Sequence, residues 1–226
     1  MVDERDAVNA EHPRLTYFDV RGRAEVIRLI LEEMGTPYRE RRIQLSEWAS
    51  LKPTFPFAQL PLYEEGGLAI PHSHAIYRYL ARKHGLGGQT EAERIRCDVV
   101  EETFVDLQND LAGFYWSAQF AEKRDEYERT NLPALLDKAQ QLLLQNRGGD
   151  GYWVGEQLSF VDFCAWHFLD YVRPFSQRTL ERYEKLMAFK QRIESRPRVA
   201  AYLASERRPR TQTVSLAPFG GTPETS

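Results

Sequence analysis

The stretch LTYFDVRGRAEVIRLILEEMG, residues 15–35, carries two periods in succession. Its first residues alternate, with Leu15 and Tyr17 on one face and Thr16 and Phe18 on the other, which predicts a short strand. From Val26 onward apolar residues recur at three- and four-residue spacing (Val26, Ile27, Ile30, Leu31, Met34), which predicts a helix that Gly35 can cap. Outward from this pair, Tyr38 to Ile43 predicts a second strand, and its Arg39, Glu40, Arg41 and Arg42 suit a sheet edge, where charge discourages pairing with another chain. Gln44 to Ala58 reads as irregular, with two prolines. Leu60 to Tyr63 and Leu68 to Ile70 predict a hairpin whose turn uses Gly66 and Gly67. Ser73 to His84 predicts a helix with Ile76, Tyr79 and Leu80 as its apolar stripe and Gly85 as its stop. The order strand, helix, strand, loop, strand, strand, helix completes one α/β layer near residue 86.

After Gly87-Gly88 the pattern is helical throughout. Thr90 and Glu93 form a capping box that opens a long helix to about Ser117, and a second helix is expected from about Arg124 to Gln145. Ser159 and Asp162 are another capping signature, with Leu158 and Phe163 placed to staple it. Further helices are expected over about Leu180 to Arg196 and Val199 to Arg207. Residues 1–13 read as a disordered arm and residues 209–226 as a disordered tail. The fold class is therefore an α/β domain, about residues 14–87, followed by an all-α helical domain, about residues 90–208.

Composition narrows the function. A formal net charge of -3 gives no electrostatic hold on nucleic acid, and the one basic cluster, Arg207 to Arg210, reads as a solvated end. The charged first residues do not read as a signal peptide, and the apolar run Phe163 to Val172 is too short to span a bilayer, so neither secretion nor a membrane is expected. The two cysteines, Cys97 and Cys164, lie far apart without a C-x-x-C, so they offer no dithiol, disulfide framework or metal set. A cytoplasmic protein without a metal fits best.

Three places carry chemistry. Tyr17 ends a strand beside a helix N-terminus, where its hydroxyl can donate to an anion or simply pack in the sheet. Pro61 stands just before a strand and is either a cis peptide, freeing the Leu60 backbone to pair with an extended peptide ligand, or an ordinary loop proline. Ser73 opens a helix after His72, either as an anion site for a carboxylate or as a plain N-cap. The residues alone leave each pair open.

The ordered set of motifs resembles the cytosolic glutathione transferases of the tyrosine type, most nearly the sigma class that includes prostaglandin D synthase. The stretches that carry the resemblance are residues 15–25, Trp48 with Lys52, residues 56–61 (PFAQLP), residues 73–82 (SHAIYRYLAR), residues 153–162 (WVGEQLSFVD) and Arg207-Arg208-Pro209. Together they span about Arg14 to Thr211. The resemblance implies a thioredoxin-like N-terminal domain, a helical substrate domain and a homodimer that conjugates glutathione, as co-substrate, to hydrophobic electrophilic small molecules. The family also implies two other occupations: a glutathione-dependent prostaglandin isomerase, and a non-catalytic crystallin or ligand carrier. By resemblance Tyr17 is the catalytic tyrosine and Arg23 supports its hydrogen bond. Trp48 and Lys52 hold the glycine carboxylate, and Gln59 and Leu60, before a cis-Pro61, contact the glutathione backbone. Ser73 binds the γ-glutamyl carboxylate, with His72 standing where the family usually has glutamine. Asp106 reaches the γ-glutamyl amine in the other subunit. Phe18, Val20, Tyr115 and Trp116 are expected to line the hydrophobic substrate pocket.

Elementary chemistry agrees with that set. Glutathione carries two carboxylates, and Lys52 and a helix N-terminus supply two anion sites. A free thiol titrates near pH ~8.5, so only a few per cent is thiolate at neutrality. Lowering that pKa by about two units corresponds to roughly 2.7 kcal/mol of thiolate stabilisation. A charge-assisted hydrogen bond beside a positive helix end is of that size.

Overall fold

The computed structural model describes residues 12–225. The expected N-terminal arm falls mostly on residues 1–11, outside the described residues. The first layer contains strands β1 (Arg14–Phe18), β2 (Arg39–Ile43), β3 (Leu62–Glu65) and β4 (Leu68–Pro71), with helices α1 (Glu25–Met34), α2 (Leu45–Leu51) and α3 (Ser73–His84). The sheet order is β2-β1-β3-β4, with β1 parallel to β2 and antiparallel to β3. Tyr17 pairs with Arg42 near the end of β1, so its side chain is presented where the chain leaves the sheet for α1. The hairpin β3–β4 turns at Gly66 and Gly67, both at positive φ, as the glycines imply.

The second layer holds α4 (Glu91–Tyr115), α5 (Phe120–Leu144), α6 (Phe160–Leu180), α7 (Glu184–Glu194) and α8 (Pro197–Leu203). Both capping boxes form. Thr90 accepts from the Glu93 amide, while Asp162 accepts from the amides of Ser159 and Trp153 and from the Ser159 hydroxyl. Two expectations shift. Gln44 to Ala58 contains α2, which Gln44 and Glu47 cap reciprocally. Its Leu45, Trp48 and Leu51 recur at three-residue spacing and are half-buried, Trp48 and Leu51 against Ile43, Phe55 and Leu62, but the run is only two turns long and is followed by two prolines. The α5 helix starts at Phe120, earlier than its charged first turns suggest.

One core runs through both layers. Helix α1 is buried on nearly every side, with Val26, Ile27, Leu29, Ile30 and Leu31 at 2% exposure or less. It packs on α3 in its own layer and on α6 and α8 of the other. The seam between the layers is ionic as well as apolar. Arg208 reaches both Glu25 of α1 (2.8 Å) and Asp170 of α6 (2.6 Å), Arg21 reaches Asp170 at 3.2 Å, and Arg28 pairs with Glu25 at 3.2 Å. Burial by itself would raise both carboxyls, but the arginines outweigh it and hold Glu25 and Asp170 below their ordinary pKa values.

The expected disorder after residue 209 is a correction. Gln212, Thr213, Ala217 and Phe219 are buried, and the Arg21 and Gly22 amides donate to the carbonyls of Thr211 and Gln212, both at 2.9 Å. Ser/Thr/Pro-rich composition predicts solvation, but one aromatic residue in that stretch has a hydrophobic niche between helices.

Candidate active site

Tyr17 lies at the seam between the layers. Its phenolic oxygen accepts the Arg23 backbone N–H at 3.2 Å. Burial pushes its pKa up, against a smaller opposing pull from the Arg23 amide and the Arg23 and Arg28 charges. The phenol therefore keeps its proton at neutral pH and can donate it outward in a hydrogen bond. Between the two residues the chain must pass close to the ring. Gly22 has φ +39°, and a Cβ there would lie 2.7 Å from the Tyr17 oxygen, so only glycine fits. The Tyr77 hydroxyl donates to the Arg23 carbonyl at 2.6 Å and steadies the turn from α3. The Arg23 side chain is exposed and reaches Asn109 Oδ1 of α4 at 3.5 Å.

Tyr17 opens on a cavity of about 630 Å³ between the layers. Beside it Trp48 packs its edge on Phe18, ring centroids 5.3 Å apart, and both line the cavity. The other first-layer residues that the resemblance assigns to glutathione, Lys52, Gln59, Leu60, Pro61, His72 and Ser73, are not among those that line this cavity. Lys52 and Gln59 are exposed, Leu60 is half-buried, and the Leu60–Pro61 peptide is cis. Ser73 is buried as the first residue of α3. His72 before it is exposed and holds φ 67°, ψ 115°, a sparsely populated conformation that costs about 1–3 kcal/mol. Its ring lies 5.4 Å from that of Phe57. His74 lines the cavity and bonds buried Glu101 at 2.9 Å. Asp106 is exposed and does not meet Tyr17 within one chain. It lines a separate groove on the outer face of α3 and α4.

The residues around this cavity belong to two recognisable domains. The model for the glutathione S-transferase N-terminal domain matches residues 13–82, and that for the glutathione S-transferase C-terminal domain matches residues 105–206. Mouse (Mus musculus) glutathione S-transferase Mu 4 is 37% identical over 207 residues, 87% of this chain and 93% of that protein. The hematopoietic prostaglandin D synthase of Gallus gallus is 36% identical over 205 residues, 88% of this chain and 97% of its own. The structure of the Onchocerca volvulus Pi-class glutathione S-transferase superposes with a TM-score of 0.81 at 32% identity, covering 84% of this chain and 91% of that one. This chain belongs to the glutathione S-transferase family. It is a transferase with glutathione as co-substrate, and its two layers are that family's α/β and helical domains.

The second wall of the transferase cavity departs from expectation at one residue. Phe18, Val20 and Trp116 line it, but Tyr115 does not. Tyr115 is fully buried, donates to the Tyr171 carbonyl at 2.6 Å and sits among Phe120, Phe175 and Phe219. Adjacent helical residues point about 100° apart, so only one of the pair can face the cavity. The residues that share the Trp116 face are Val105, Gln108, Asn109, Ala112 and Gly113, a stripe at three- and four-residue spacing that helical periodicity could have exposed. Cys164, His167 and Tyr171 of α6 and Gln212, Thr213, Val214 and Leu216 of the C-terminal segment complete the lining without any local signal. Burial pushes the His167 imidazole down to about 4 and the Cys164 thiol up, so both are neutral near pH 7. No helix among the described residues is long and apolar enough to cross a membrane.

Proposed function

We propose that Tyr17 generates the glutathione thiolate and that the thiolate attacks hydrophobic electrophiles held on the second wall. The observation that carries this reading is the Tyr17 hydroxyl, accepting the Arg23 N–H at 3.2 Å, at a cavity of about 630 Å³ between the two layers. Glutathione's thiol loses its proton to water, and the phenol donates to the sulfur that remains. The sulfur lone pair then forms the new carbon–sulfur bond, displacing a leaving group or adding to an activated double bond. Lys52 and Trp48 take the glycine carboxylate, and Gln59 and Leu60 the peptide backbone. Ser73 and the free amides of α3 take the γ-glutamyl carboxylate, with His72 beside them. Phe18, Val20 and Trp116 hold the electrophile.

The working unit in this reading is a cytoplasmic homodimer joined through the outer face of α3 and α4. That face carries exposed Ile95 and Val99 beside the Asp106 groove, and exposed Phe57 projects from the neighbouring loop. Asp106 then serves the γ-glutamyl amine bound to the other subunit. Conjugation of a standard aromatic electrophile, with calorimetry of S-methylglutathione binding alongside, tests the reading. Binding without conjugation by any electrophile overturns it. Phe57→Asp is expected to shift sedimentation toward monomer and weaken S-methylglutathione binding together. A dimer that persists retires the proposed interface.

A further inference from the structure

The C-terminal segment makes one connection that its pocket lining does not require. The amides of Gln212 and Thr213 both donate to the Gly220 carbonyl, at 3.0 and 2.9 Å, which closes residues 212–220 into a loop. At one end of the loop Phe219 is 4% exposed and packs on Tyr115 (4.7 Å), Phe120 (5.0 Å) and Phe175 (5.8 Å), with the Arg124 guanidinium over its ring. At the other end the segment pairs with the turn after β1. The Arg21 N–H donates to the Thr211 carbonyl and the Gly22 N–H to the Gln212 carbonyl, both at 2.9 Å. The Tyr171 hydroxyl also donates to the Gln212 carbonyl, at 3.1 Å, and Gln212 Nε2 donates to the Asp170 carbonyl at 2.8 Å.

Those two amides immediately precede the Arg23 N–H that Tyr17 accepts. The carbonyls of the same turn are held from within the protein, Val20 and Arg21 by Arg28 and Arg23 by Tyr77, whereas the Arg21 and Gly22 N–H groups are held by the C-terminal segment. Hydrogen-bond strength falls steeply with distance and angle. At 3.2 Å the Arg23–Tyr17 bond is at the long edge of the ordinary range, where a small displacement of the turn removes it.

We infer that the C-terminal segment is a strap that fixes the Arg21–Arg23 turn and thereby sets the acidity of bound glutathione, with Phe219 as its anchor. Phe219 is a positioning residue, acting on Tyr17 through the turn. The inference rests on the reading that Tyr17 activates the thiol.

Ultraviolet titration of enzyme-bound thiolate against pH tests it in three variants of the full chain. Phe219→Ala removes the anchor. Gly221→Val disturbs the strap without emptying the helical core, because a Cβ at Gly221 would lie 2.7 Å from the Val214 carbonyl oxygen. Phe219→Leu keeps an apolar anchor. In Phe219→Ala and Gly221→Val the bound thiol pKa is expected to rise by about one unit, cutting thiolate at pH 6.5 about fivefold, with a smaller shift in Phe219→Leu. The activity deficit should then shrink as pH rises. A purely structural strap predicts a deficit uniform across pH and an unchanged thiol pKa, and that result in either folded variant overturns the inference. Should Phe219→Ala not fold, Gly221→Val decides alone. Tyr17→Phe separates the two levels. If it abolishes the thiolate while the strap variants leave the pKa in place, only the strap fails; if it leaves the thiolate intact, the reading beneath fails.

Discussion

The two walls of the cavity are built in opposite ways. The surface expected to meet glutathione comes from short runs of one layer, Tyr17 with Arg23 and residues 48–52, 59–61 and 72–73, each within or beside the end of a strand or helix. The wall expected to meet the electrophile comes from Phe18 and Val20, one α4 stripe, three α6 residues and a C-terminal loop, far apart in sequence. A peptide substrate of fixed shape presents fixed charges, and few backbone geometries satisfy them. Apolar electrophiles need only surface, which many side chains supply interchangeably. The contrast predicts that the first wall is intolerant residue by residue and the second tolerant.

Tyr17→Phe should have the largest effect, because only the hydroxyl is lost. Turnover is expected to fall ten- to a thousandfold, about 1.4 to 4 kcal/mol, with S-methylglutathione affinity nearly unchanged. Conjugation rates and the ultraviolet signal of the thiolate check it, and wild-type values for both would break the contrast at its strongest point.

Helix α6 contributes to the second wall, but its N-terminal cap lies outside the cavity lining and allows folding to be probed apart from either wall. Asp162→Ala strips buried amides of Trp153 and Ser159 of their acceptor, at a cost of about 3 kcal/mol of stability. Urea denaturation should show that loss while the folded fraction keeps near-normal specific activity. Lost activity at normal stability would put chemistry in a residue that the contrast assigns to folding.

His167 supplies a pH test. Burial lowers it from 6.5 to about 4, opposed by Glu25 and Asp170 and reinforced by Arg21 and Arg208. Between those values the unfolded chain binds the proton and the folded chain does not, so this contribution is intact above pH 6.5 and is lost as pH falls toward 4. Asp162, raised by burial to about 6, pulls the other way. The difference between wild type and His167→Gln therefore isolates the histidine. Over that window it should change by about 2 to 3 kcal/mol in urea midpoints converted to free energy. A constant difference would show that His167 is not held neutral by the fold.

Trp116→Ala is the smallest expected effect. Trp116 is 47% exposed, so its loss should raise KM for bulky aromatic electrophiles a few-fold and leave KM for glutathione alone. A large change in glutathione KM would show that the walls are not separate.

The same contrast explains what was legible in the sequence. The β1–α1 unit, the hairpin and both capping boxes announce themselves because local chemistry forces them: alternation, spacing, a left-handed glycine, a reciprocal cap. Tyr115 and Trp116 are neighbours of similar character, and which one faces the cavity depends on where α6 and Phe219 lie, which no local pattern carries. Helix α2 is capped by glutamine and only two turns long, so its apolar trace, Leu45, Trp48 and Leu51, is too brief to stand out. The C-terminal strap is ordered by a single phenylalanine in a stretch whose composition otherwise argues for solvation. Asp106 was legible as a residue, yet its place on the outer face makes sense only with a second chain.

The ionic seam bears on whether the first layer could serve as a transplantable glutathione-binding module. Its own fold looks self-sufficient, with a complete sheet and three helices. Cut at Gly87-Gly88, however, it would keep Glu25 and Arg28 in the first turn of α1 and lose Arg208, along with the α6 and α8 surfaces packed on that helix. Hydrophobic residues selected for a dry interface would face water beside a carboxylate stripped of one of its arginines. The layer that carries the readable motifs is thus not a portable part, and grafting it elsewhere means carrying over its helical partner or redesigning α1.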